Sequence, residues 1–142
     1  MIKEENPIET FTKMKKEIIY TKNAPEPIGP YNQAVKIGKT LYVSGQIPLI
    51  PGKMELVNGD LEKETIQVMK NLEAIILKAN MTFDNIVKTT IFLSDMGNFE
   101  IINKIYGKYF DPENAPARET VEVSNLPKYV RLEISVIASE VD

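Results

Sequence analysis

Two of the 17 basic residues in this 142-residue chain are arginine, Arg118 and Arg131; all the others are lysine. A chain that otherwise uses lysine keeps arginine where a planar, five-donor fork matters. Arg118 follows Asn114-Ala115-Pro116-Ala117 and opens a strand-like run, which sets its side chain at the rim of a sheet. From there it can clasp the carboxylate of a small molecule, each charge-assisted bond being worth roughly 1.5–3 kcal/mol. The same position also suits a surface ion pair with Glu122 or Glu133, worth about 0–1 kcal/mol. Glu133 lies between Leu132 and Ile134 on the polar side of an alternating run. It can sit on a solvated face paired with Arg131 or Lys128, or it can orient or deprotonate a water. Free glutamate titrates at about 4.3 and a nearby arginine lowers that, so Glu133 is expected to be an ionised acceptor at neutral pH.

Asn103 falls four residues after Phe99 and three before Tyr106, inside the apolar stripe of a helix-like segment. A buried amide left unsatisfied costs about 1–3 kcal/mol, so it is expected to bond a backbone group of the loop leading to Arg118. Bracing and ligand contact are both open to it. Tyr31, after Gly29-Pro30, and Ser44-Gly45-Gln46 fall where a loop enters a strand and where a strand ends. Polar side chains reach clefts from such places, although core packing and turn chemistry account for the same residue types.

Absences narrow the chemistry. The chain has no Cys and no His. Disulfides, thiolate nucleophiles, imidazole acid/base pairs and Cys- or His-based metal centres are excluded, and with them the usual hydrolytic triads and a paired-histidine ribonuclease. No glycine-rich phosphate cradle and no carboxylate cluster with metal spacing is present. A formal net charge of −3 lacks the basic footprint of a nucleic-acid binder. No apolar run approaches the ~20 residues needed to span a bilayer.

The elements that must hold these residues follow from periodicity. Ile18-Ile19-Tyr20 reads as a short strand, followed by a proline-rich loop over Asn23–Pro30. Tyr31–Ile37 and Thr40–Ser44 read as strands around a Gly38-Lys39 hairpin turn. From Asp60 to Ala79 the period becomes helical, with Leu61, Thr65, Val68, Leu72, Ile75, Ile76 and Ala79 on one stripe. Asp60 is the expected N-cap and Asn80 the expected stop. Asn85–Ser94 is β-branched and strand-like, a second helix runs from about Gly97 to Phe110, and Arg118–Ser124 and Val130–Ser139 alternate as half-buried strands. The order predicts a single α+β domain over residues 17–142, with two helices covering one sheet face. The uncovered face calls for a homo-oligomer. Residues 1–16, with Lys13, Lys15 and Lys16 and no apolar core segment, are expected to be a flexible solvated extension rather than a targeting signal, which points to a cytoplasmic protein.

Taken together, Ala24-Pro25…Ile28-Gly29-Pro30-Tyr31, Tyr42-Val43-Ser44-Gly45-Gln46-Ile47-Pro48 and Pro116-Ala117-Arg118…Val121-Glu122-Val123…Leu126-Pro127…Leu132-Glu133-Ile134 resemble the RidA/YjgF family of reactive-intermediate deaminases, also called the L-PSP family. The match covers about residues 17–139. The resemblance implies a chorismate-mutase-like mixed sheet with two helices on one face, a homotrimer, and sites in the clefts between subunits. It implies hydrolysis of 2-imino acids, formed from enamines such as 2-aminoacrylate, to 2-keto acids and ammonia, with no cofactor and no metal. Carried over by position, Arg118 would bind the carboxylate and Glu133 would hold the hydrolytic water. Tyr31, Ser44, Gly45, Asn103 and Thr120 would line the pocket. Thr120 stands where many bacterial members have Cys, which keeps a hydrogen-bonding hydroxyl and forfeits a thiol. Glu119, by alternation, points away from Arg118. The last two strands, adjacent in sequence, would pair as a hairpin, but the resemblance places another strand between them, and that arrangement is adopted here. An RNA-cleaving translation inhibitor, or a non-catalytic ligand-binding or chaperone-like trimer, would share these motifs.

Overall fold

A computed structural model describes residues 15–141 of the chain. The extension expected at residues 1–16 therefore lies, apart from Lys15 and Lys16, outside the described residues. Strands β1 (Glu17–Ile19), β2 (Ala34–Ile37) and β3 (Thr40–Gln46) form an antiparallel meander. Gly38, at φ +57°, makes the β2–β3 turn in the left-handed region open to glycine. Helix α1 (Leu61–Lys78) follows, then β4 (Ile86–Leu93), α2 (Phe99–Gly107), β5 (Ala117–Glu122) and β6 (Leu132–Ser139). The six strands make one sheet in the order β1-β2-β3-β6-β4-β5, with only β4–β5 parallel.

Local chemistry sets the helix ends. The Asp60 carboxylate accepts the Lys63 amide at 3.1 Å, and Glu62 and Glu64 occupy the first turn, where the helix dipole favours negative charge. Asn80 ends α1 at φ +60°. The second helix is shorter than its periodicity implied. A 3-10 turn over Met96–Asn98, started by the Asp95 carboxylate accepting from Gly97 N at 2.8 Å, takes its first residues. The β2 strand likewise starts at Ala34 rather than Tyr31, because the Gly29 turn holds Tyr31 and Asn32 outside the ladder.

The last two strands do not pair with each other; β4 lies between them. Residues 123–131 cross over the end of β4, tied to it on both sides: Val123 N donates to Leu93 O at 2.8 Å and Ser94 N to Arg131 O at 3.1 Å. Under the helices, Leu41, Val43, Ile91, Leu93, Leu132, Ile134, Val136 and Ala138 are buried together with the inner stripe of α1. No helix among the described residues covers the other face, where Ile18, Val35, Tyr42 and Ile137 stand in register across four strands. No helix among the described residues is long and apolar enough to cross a membrane.

Two features shape the region around β3 and β6. Val43 pairs with Val136 but Gln46 with Ile134, so Ser44 and Gly45 together face Ser135 in a β-bulge. Arg131 is taken up by an internal pair: its Nε donates to Glu64 Oε1 at 3.0 Å and its Nη2 to Glu64 Oε2, with Glu64 only 3% exposed. That fork fastens the start of β6 to the first turn of α1. Between them the 3-10 turn Pro127–Tyr129 carries two successive left-handed non-glycine residues, Lys128 at φ 55° and Tyr129 at φ 56°. Such a conformation costs an L-residue roughly 1–2 kcal/mol, least for Asn, and the Tyr129 ring is 85% exposed and gives up little contact on removal. Tyr129→Asn is accordingly expected to raise the unfolding free energy by about 1 kcal/mol in urea titration; an unchanged or lower value would contradict the strain.

Candidate active site

Arg118 lies beside Thr89 in the β4–β5 ladder, and Thr89 is buried under the helices, so the Arg118 side chain rises on the helix-covered face at the sheet's edge. Its guanidinium stands over two rings of α2, 5.1 Å from the Tyr106 centroid and 5.5 Å from that of Phe99. Its Nη1 donates to Asn103 Oδ1 at 2.7 Å. Asn103 thus holds the guanidinium itself, not the backbone group anticipated. Tyr106 is fixed in turn by donating to Thr89 Oγ1 at 3.1 Å; burial pushes its phenol above the usual range, against the opposing pull of Thr89 and of the Arg118 charge.

What Arg118 lacks is an anion. Among the described residues no carboxylate lies within ion-pair distance of it. Glu122 accepts instead from Met96 N at 2.8 Å, and Glu119 turns to the other face and pairs with Lys88 at 2.8 Å. The surface ion pair that the sequence also allowed is absent. Two residues along, Thr120 shares the Arg118 face, and its Oγ1 is buried without a hydrogen-bond partner among the described residues. A buried hydroxyl left so costs about 1–3 kcal/mol. An amide, two ring faces and a waiting hydroxyl therefore surround a cation with free donors, an arrangement that receives an anionic group.

Glu133 belongs to a second cluster. It pairs with Phe92 and alternates with buried Leu132 and Ile134, which sends its side chain to the helix-free face. There it rests on the bulge: a Cβ at Gly45 would lie 2.7 Å from Glu133 Cδ and 3.0 Å from Oε2, so only glycine admits the carboxylate. With Tyr31 it lines a cleft of about 380 Å³ whose other walls are Ile28, Ile47, Pro127 and Lys128. Burial pushes the Glu133 carboxyl above its ordinary value. The expected lowering by an arginine does not occur within one chain, because Arg118 projects from the opposite face two strands away and Arg131 is held by Glu64. Of the partners proposed for a purely solvated Glu133, Arg131 is placed elsewhere, whereas Lys128 stands in the wall of the same cleft.

The remaining residues fall around this cleft. The Tyr31 hydroxyl accepts from Ile28 N at 3.1 Å, which leaves its own proton free to donate. Ser44 donates to Asn32 O at 2.6 Å and lines a shallower depression on the other side of Tyr31. Tyr31, Gly45 and Glu133 are therefore brought together, as are Asn103, Arg118 and Thr120, while one chain does not bring the two sets to each other. Sequence reasoning missed Phe99 and Tyr106 as the bed of the guanidinium, and Ile28, Ile47, Pro127 and Lys128 as walls. The aromatic spacing opposite Arg118 was the available signal for the first pair. Among the described residues no group of three or more acidic side chains is placed to hold a metal ion.

Known proteins share this arrangement of elements. Residues 21–140 match the family model described as Endoribonuclease L-PSP. A RutC family protein from Pyrococcus horikoshii is 48% identical over 123 residues, covering 87% of this chain and 97% of that one. The human 2-iminobutanoate/2-iminopropanoate deaminase is 43% identical over 123 residues, 87% of this chain and 89% of its own. The crystal structure of E. coli TdcF with bound serine superposes with a TM-score of 0.83 at 39% identity, covering 89% of this chain and all of that one. By the extent of these matches, from the proline-rich loop through the Leu-Glu-Ile strand, the chain belongs to the RidA/YjgF family.

Proposed function

We propose that this protein hydrolyses 2-imino acids to 2-keto acids and ammonia, at sites completed where two copies of the chain meet. The observation that carries this reading is the Arg118 guanidinium, positioned by Asn103, Tyr106 and Phe99 yet paired with no carboxylate. The deaminase name of a human relative supports the reaction, and the serine bound to TdcF supports a ligand of amino-acid size.

In this reading Arg118 grips the substrate carboxylate and Thr120 Oγ1 gains the partner it lacks. Glu133 of a second copy, with its Tyr31 and Gly45, faces the imine carbon. The opposite placement of the two clusters supports assembly, and so does the apolar row Ile18, Val35, Tyr42 and Ile137 on the open sheet face. A homotrimer of the family type satisfies both. A protonated imine is already electrophilic, so water attack at C2 needs placement more than activation. Glu133 takes one proton from the water as the C–O bond forms. Glu133 returns that proton to the nitrogen of the resulting carbinolamine, ammonia leaves as the C–N bond breaks, and the hydroxyl oxygen gives its proton to Glu133 as it becomes the carbonyl of the keto acid. Burial moves the Glu133 carboxyl toward the working pH, which suits a general base worth about 10²–10⁴ in rate. No cofactor enters the scheme.

An assay that generates imino acids with an amino-acid oxidase, and follows keto-acid release above the uncatalysed rate, tests it. Arg118→Ala should lower kcat/KM at least ~100-fold, the equivalent of about two charge-assisted bonds, and Arg118→Lys by about tenfold or more. Equal activity with lysine would end the bidentate role. RNA cleaved in the presence of chelator by the parent but not by Arg118→Ala would replace the deaminase reading with a nuclease one. Gly45→Ala should displace the Glu133 carboxylate and lower kcat about 10²-fold with the far-ultraviolet circular dichroism unchanged. Activity should fall as pH drops through the raised Glu133 pKa, because protonation removes the base. Glu133→Gln should abolish that limb, and an identical limb in the variant would assign it to another group.

A further inference from the structure

The cleft that holds Glu133 has one wall without secondary structure. Residues 21–30 carry Ile28 to the cleft and lead into Tyr31, yet no strand or helix supports them, and the prolines at 25, 27 and 30 offer no amide to a ladder. Packing holds only the first part of this wall: Ala24 and Pro25 are buried, whereas Ile28 is 56% exposed. A crevice of about 40 Å³ separates Pro25, Pro27 and Ile28 from Gly45, Gln46 and Ile47. The Tyr31 hydroxyl accepts from Ile28 N at 3.1 Å, but the largest set of hydrogen bonds to the wall comes from one side chain, Gln33, only 2% exposed. Its Oε1 accepts from Thr21 N at 2.8 Å, and its Nε2 donates to three carbonyls: Thr21 O at 3.0 Å, Ala24 O at 3.3 Å and Pro25 O at 3.0 Å. The same residue's backbone carbonyl accepts Ser44 N at 2.9 Å, one residue from the bulge glycine that seats Glu133.

Taking the Glu133 cleft as the working half-site of the function above, we propose that Gln33 is a positioning residue, which sets the distance between the Ile28–Tyr31 wall and the Gly45–Glu133 floor. A buried amide with both ends satisfied is stiff, because moving either partner leaves a polar group unpaired away from water. Each bond from Gln33 to the loop fixes the wall, and its backbone bond to Ser44 fixes the floor to the same residue. Without the amide the crevice gives the loop room to shift, and Ile28 and Tyr31 move relative to the carboxylate while the sheet and helices stay in place.

The test uses Gln33→Glu. An ionised carboxylate still accepts from Thr21 N but faces three carbonyl oxygens with no donor; once protonated it regains one. Glu26, which lines the crevice, and Glu133, beyond Gly45, are present in both proteins, so the ratio of variant to parent isolates position 33. The full-length assembly is expected to lose at least tenfold in kcat/KM at pH 8, mostly through KM, and to recover to within about threefold of the parent as pH falls to 6. Two readouts independent of turnover accompany it: hydrogen exchange at the Ile28 amide, expected to quicken at least tenfold at pH 8, and binding of 2-oxobutanoate followed by tyrosine fluorescence. A parent without deaminase activity would sink the function above and leave these two readouts to judge Gln33. Parent-like exchange and affinity in Gln33→Glu at pH 8 would overturn the positioning role. So would failure of both Gln33→Glu and Gln33→Met to fold at every pH, because the amide would then be a requirement of the fold itself.

Discussion

A guanidinium held without a counter-ion is the constraint around which this chain is arranged. Arginine on a sheet rim ordinarily finds a carboxylate, and Glu119 and Glu122 lie within four positions of Arg118 on β5, with Glu133 two strands away. Each is diverted: Glu119 to Lys88, Glu122 to the Met96 amide, Glu133 to the other face of the sheet. In place of charge, Arg118 receives an amide oxygen and two ring faces, which orient the fork without neutralising it. The contrast with Arg131 makes the point. Arg131 meets Glu64 through two nitrogens and is consumed by fastening β6 to α1. One arginine is spent on an internal pair and the other is not, and the difference lies in which acidic group each can reach.

The period of a strand then decides where the second half of the chemistry can be. Arg118 shares the helix-covered face with Thr89, whereas Glu133 shares the open face with Phe92, and β4 separates their strands. No side-chain rotation carries a group from one face of a sheet to the other, because successive side chains leave on opposite sides of the pleat. Within one chain this topology keeps the Glu133 carboxylate and the Arg118 guanidinium from pairing with each other. Glu133 accordingly sits partly buried with neither arginine beside it, and its carboxyl is raised by burial alone. A neighbouring guanidinium would lower it again.

Much of the frame was legible in the residues. Asp60 and Asn80 bracket α1 as caps do, Gly38 marks the hairpin, and the alternation of β6 correctly separated Glu133 from the core side. Alternation also placed Glu119 opposite Arg118. Strand order was not legible in this way. Nothing in the period of β5 or β6 says that β4 lies between them; that depends on residues 123–131 being long enough to cross and on two backbone bonds at the end of β4. The direction of the Glu133 shift was missed for a related reason, because it follows from which face is buried against what, a tertiary fact. Asn103 was recognised as a polar residue in an apolar stripe, but its partner could be named only once α2 was laid beside β5.

Residues that fold no element proved as informative as those that do. Gln33 and Asn71 are buried amides whose nitrogens donate to loop carbonyls: Gln33 to residues 21–25, and Asn71 to Ile47 O at 3.1 Å and Leu49 O at 2.9 Å. Loops lack the repeating ladder that satisfies strands, so their carbonyls need partners supplied from outside. A glutamine or asparagine rooted in a strand or helix provides them without adding charge to the core. Placed at the two sides of the Glu133 cleft, these amides extend the rigidity of β2 and α1 into Ile28 and Ile47. The cleft thus owes its shape to neutral hydrogen bonds, and its ionisable groups are left free for a ligand.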